Sequence, residues 1–122
     1  MREILFRGKT KEIGRWRYGS VAKHKFEFET EEVFVIEDEE GYWAEVIPET
    51  IGQFTGLVDK NGKKIFEGDK IKLTQGIGTV EWFKTQSRFM IWLPKSNKFM
   101  RFLAGIDYEV IGNIHDNKEL LQ

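Results

Sequence analysis

Apolar and polar residues alternate at a period of two through most of this chain, a pattern that predicts a succession of short β-strands. Ile4 and Phe6 share one face of a first strand, with Glu3, Leu5 and Arg7 on the other. Trp16 and Tyr18 alternate with Arg15 and Arg17, which predicts a hairpin across a loop at residues 8–14, with the arginines in water. Phe26 and Phe28 alternate with Glu27 and Glu29 and predict a further strand. Residues 33–36 are a continuous apolar run, residues 38–41 an acidic turn, and residues 42–47 the returning partner strand.

The stretch at residues 46–69, VIPETIGQFTGLVDKNGKKIFEGD, organises the rest of the chain. Pro48 ends the strand before it, because proline has no N–H for a ladder and forces an extended residue ahead of it. Gly52, Gly56, Gly62 and Gly68 punctuate short apolar pieces. Asn61 and Gly62 adopt left-handed angles readily, so Leu57 and Val58 are predicted to pair back on Ile65 and Phe66. Ile71 and Leu73 then alternate with Lys70 and Lys72, as in a strand with one wet face. Gly76 and Gly78 read as a turn or bulge, and residues 79–83, 88–93, 99–103 and 109–114 as further strands. So many short strands within about fifty residues suit a small closed barrel, since closure removes exposed edges. Residues 117–122 form a polar tail with room for one helical turn, in which Leu120 and Leu121 are a docking pair.

PETIGQFTGLVDKNGKKIFEGD, the later EVIGNIHDN at residues 109–117 and the opening REILFRG together resemble the YopX family of bacteriophage and prophage proteins. The resemblance rests on Pro48, Gly52, Phe54, Gly56, Asp59, Gly62, Gly68, Asp69, Gly112 and Asn113, which it marks as structural residues. It implies an all-β fold, with N-terminal β-hairpins packed on a C-terminal SH3-like small barrel, and no established biochemical activity. The setting it implies is the cytoplasm of a bacterial host, with a host or phage protein as partner.

Composition narrows the picture in three ways. At 122 residues the chain is sized for one domain, read as a hairpin part at residues 1–50 and a barrel part at residues 51–122. The absence of cysteine removes disulfides, thiolate nucleophiles and thiolate metal sites, and the apolar run at residues 4–6 is too short for a signal peptide or membrane span. The net charge of -1 hides segregation: residues 26–59 contain ten acidic residues before Asp59 and no Lys or Arg, while the start of the chain and residues 84–101 are basic. Opposite blocks either pair across ladders within one chain or join copies as a homo-oligomer.

No residue set points to catalysis. His24 and His115 are the only histidines and lack a neighbouring nucleophile, GQFTG and GIG lack the lysine of a phosphate loop, and DEEGYWAE lacks calcium-loop spacing. No cofactor or metal is expected. The leading expectation is a non-enzymatic protein-interaction or assembly module. The alternative is an accessory nucleic-acid-binding protein, because Lys84, Arg88, Trp92, Lys98 and Arg101, with Trp82 and Phe99, interleave cations and rings on neighbouring strands. A pI of about 6.2 favours the first.

Overall fold

The computed structural model describes residues 3–12 and 14–116. Among them run β1 (Phe6–Lys9), β2 (Trp16–His24), β3 (Val33–Glu37), β4 (Trp43–Glu45), β5 (Gly52–Val58), β6 (Lys64–Phe66), β7 (Asp69–Leu73), β8 (Gly76–Phe83), β9 (Arg88–Leu93), β10 (Lys98–Arg101) and β11 (Glu109–Asn113). The described residues contain two 3-10 turns, Pro48–Thr50 and Lys84–Gln86, and no α-helix, so the fold is all-β as the alternation predicts. The helical turn expected at residues 117–122 lies outside the described residues. The chain divides into two compact units, residues 1–54 and 55–122, and the division falls inside β5.

In the first unit the antiparallel order is β4-β3-β2-β1-β5. The predicted first hairpin forms, with Arg7 opposite Tyr18 and Lys9 opposite Trp16. Its first strand starts later than the alternation suggested, leaving Ile4 71% exposed, and continues through Gly8. Gly8 belongs to packing and not to a loop, since a Cβ there would lie 3.1 Å from both Val46 Cβ and Ile36 Cδ1. Beyond β1, Thr10 bridges to Val46, Lys11 N donates to Glu45 O at 3.0 Å and Ile47 N to Lys9 O at 2.9 Å. Val35, Ile36 and Val46 form the sealed centre of this unit.

The strand expected at Phe26–Glu29 is not there. β2 runs nine residues and pairs with β3 from Ser20 opposite Glu37 to His24 opposite Val33, while β4 takes the other edge of β3. No edge of β3 is left for residues 26–29, which instead make a tight turn closed by Glu29 N donating to Phe26 O at 3.0 Å.

In the second unit the end of β5 and β6 are joined by the Asn61-Gly62 turn, in which Gly62 is left-handed at φ +81° and Asn61, contrary to expectation, is not, and a five-stranded antiparallel sheet has the order β10-β9-β8-β7-β11. Ile65, Ile71, Leu73, Val80, Ile91, Leu93 and Tyr108 pack as its core. Gly78 lies inside β8 and not in a turn; the β7–β8 connection is Thr74-Gln75, with Leu73 opposite Gly76. A Cβ on Gly78 would lie 2.3 Å from Ile91 Cγ2, so the core needs the missing side chain. The wet face predicted for β7 holds at Lys72 and fails at Lys70, which is buried. The strand order is linear, and its ends, β10 and β11, do not pair among the described residues, so the ladders do not draw the closed barrel expected. The chain between those strands is instead folded on itself, with Leu103 N donating to the Tyr108 hydroxyl at 2.8 Å.

Candidate nucleic-acid interface

The residues that carry the family resemblance are turn and ladder supports. Pro48 opens a 3-10 turn, Gly52 pairs with Arg7, and Phe54 is buried, its N–H donating to Leu5 O at 2.8 Å. Gly56 and Gly68 hold φ of +90° and +93°. Asp69 is fully buried and accepts the Phe66 N–H at 2.7 Å, while the side-chain oxygen of Asn113 accepts from His115 N and Asp116 N, both at 2.9 Å. Gly112 sits opposite Lys70, just after an irregularity in the β7–β11 ladder.

Asp59 ties the two motif stretches together. One carboxylate oxygen accepts from Asn61 N and Lys63 N at 2.9 Å, and the other from Val110 N at 3.0 Å. Lys60 N to Tyr108 O at 2.9 Å and Ile114 N to Gly68 O at 2.9 Å continue the seam. Burial works to raise the Asp59 pKa, but the three backbone donors and the Lys63 charge outweigh it and hold the carboxyl below its ordinary value.

The proposed cation-and-ring residues are only partly brought together. Cross-strand pairs Phe83–Arg88, Glu81–Met90, Met90–Arg101, Thr79–Trp92 and Trp92–Phe99 place Phe83, Arg88, Met90, Trp92, Phe99 and Arg101 on the face of β8–β10 opposite the core. Phe83 and Phe99 stack with centroids 4.8 Å apart, and Trp92 meets Phe99 at 4.8 Å. By register Met90 lies between those rings, and it is 6% exposed while Phe99 is 38% exposed. The rings therefore form a continuous surface with a buried floor.

Lys84 lies in the 3-10 turn at the Phe83 end of this face, and Arg88 donates to Gln86 Oε1. Lys98 alternates with Phe99 and so points to the other side of β10; by register Trp82 also takes that side of the sheet, where it is 47% exposed and meets Phe89 with centroids 5.0 Å apart. Lys84, Lys98 and Arg101 make no ion pair among the described residues. The sequence reading missed Phe83 and Met90, although stepping by two from Thr79 along β8 and from Arg88 along β9 reaches both.

Glu81 shares the Met90 row, and its charge bears on Lys70. The Lys70 ammonium donates to Thr79 Oγ1 at 2.7 Å; burial lowers its pKa, and Glu81 pulls it partly back up. In the first unit an open groove of about 240 Å³ is floored by Val33, Phe34, Ile47 and Pro48, with the Lys11–Glu45 ion pair, 3.2 Å apart, at its rim. No group of three or more His, Asp or Glu side chains with metal-binding geometry occurs among the described residues, and no helix among them is long and apolar enough to cross a membrane.

Ladders and surface together define an all-β protein of two antiparallel units, one of which carries a solvent-facing sheet of rings and cations. Residues 5–122 match the family described as YopX protein, and the chain belongs to the YopX family. No curated protein matches it.

Proposed function

We propose that this protein is a non-enzymatic binding module whose second unit holds single-stranded nucleic acid on the β8–β10 face. The observation that carries this reading is the ring surface of Phe83, Trp92 and Phe99 flanked by Arg88 and Arg101, with Glu81 the single carboxylate on these three strands. Bases stack on such rings while arginines follow the phosphates. Overall acidity does not count against it, because the acidic excess is local. Residues 1–54 carry eight basic and twelve acidic side chains, and residues 55–122 eleven and eight.

The test is fluorescence anisotropy of a labelled oligothymidylate at low and rising salt. Binding is expected to weaken steeply with salt, and Arg88→Ala or Arg101→Ala each to flatten that dependence by about one counterion. Lys98→Ala, on the other side of the strand, is expected to do less. An unmodified protein that fails to bind at low salt overturns the reading.

A further inference from the structure

The turn joining β2 to β3 displays a feature that the second unit's surface complements. Phe28 is 95% exposed and sits at φ +75°, a backbone conformation that aromatic residues seldom adopt. It occupies the third position of the tight turn from Phe26 to Glu29, where glycine or asparagine is the usual choice. The chain here reads Phe26-Glu27-Phe28-Glu29, followed by Glu31 and Glu32, and residues 26–59 contain no Lys or Arg before Lys60. Phe26, 40% exposed, is braced edge-on by His24 at 4.4 Å, and His24 in turn by Trp43 at 4.9 Å. A braced ring, a fully presented ring and interleaved carboxylates reproduce the chemistry of a single strand, in which flat rings alternate with anions.

We infer that this acidic aromatic turn docks on the β8–β10 face of a second copy of the chain, with Phe28 against the Trp92–Phe99 surface and its flanking glutamates against Arg88 and Arg101. Phe28, Phe99, Arg88 and Arg101 are exposed, Trp92 is half-buried, and the charges of the two halves are opposite. The contact is head-to-tail, so a pair joined by it retains one unused turn and one unused face, and further copies add until the chain of contacts closes in a ring or continues open. The inference uses the same face as the nucleic-acid reading but needs only its rings and arginines.

The experiment is sedimentation equilibrium of the full chain with two variants. The wild type is expected to exceed the 14.4 kDa chain mass at low salt, to grow with concentration and to return to the monomer as salt screens the interface. Phe28→Gly removes the ring while suiting the backbone, and Arg88→Glu with Arg101→Glu spoils the face. Each variant alone is expected to be monomeric, whereas an equimolar mixture forms a dimer and nothing larger, since only one intact turn meets one intact face. A wild type that is monomeric throughout, association surviving in either variant, or a mixture that stays monomeric overturns the inference. Phe28→Gly is also expected to keep its oligothymidylate binding. Lost association with retained oligonucleotide binding in the wild type sinks only this inference, and the converse sinks only the nucleic-acid reading.

Discussion

Asp59 shows how much one side chain can organise when all its lone pairs are placed. Its carboxylate serves donors from its own turn and from a strand fifty-one residues away, and the residue is 7% exposed. Asp59→Ala is expected to cost about 1–3 kcal/mol, because three partly buried N–H hydrogen bonds lose a charged acceptor at once. Chemical denaturation at neutral pH measures it. Because the folded carboxyl titrates below the unfolded one, its stabilisation is complete above about pH 4 and is lost as pH falls through the folded value. Asp59→Asn is expected to remove that part of the acid sensitivity, seen in melting temperatures taken down the acid limb. Lys70 has a slope of the same sign in an alkaline window. Its folded pKa is depressed, so the unfolded chain binds more protons at alkaline pH, and stability rises until pH reaches the unfolded lysine value of about 10.4. Lys70→Met is expected to abolish that rise, and a pair of melts at about pH 7 and pH 10 decides it.

At the scale of strands, packing decided what periodicity left open. The alternation of residues 26–29 is as regular as that of any strand, yet β3 had both edges occupied. β4 is the partner that the sequence predicts for β3, and its second partner, β2, was hard to read through Gly19, Ser20 and Ala22, which carry little apolar signal. Gly19 is there because a Cβ would fall 2.0 Å from the Glu37 carbonyl oxygen, a close approach that no local pattern announces. The hairpin at Asn61-Gly62, the strand Arg88–Leu93 and its end at Pro94 were legible because turn chemistry and proline act locally. Half of the candidate face was legible for the same reason. Arg88, Trp92 and Arg101 could be found by type, but which side of β10 Lys98 takes depends on register alone. Gly78 gives this scale its prediction. Gly78→Ala is expected to destabilise by about 1–3 kcal/mol, since the added methyl meets Ile91 and the Trp92 carbonyl oxygen, 2.8 Å away, inside a filled core. Equal denaturation midpoints for variant and wild type would show that the sheet can open there without cost.

Across the whole molecule, charge is the property that the average conceals. Part of the opposition is settled within the first unit, where Arg17 reaches Asp38 at 3.4 Å and Lys11 reaches Glu45. Such exposed pairs contribute at most about 1 kcal/mol each, so they leave most of the acidic excess free to act at a distance. The clamp at Asp59 has a consequence of another kind, set by the order in which a ribosome delivers the chain. Residues 59 and 69–73 emerge early, but the strand that lies beside β7 and supplies the third N–H to Asp59 is not made until residue 113. At about 5–20 residues per second the nascent second unit therefore spends some seconds with β7 bare along one side. A message broken before codon 109 would yield a product that keeps this open seam permanently and is marked for aggregation or proteolysis.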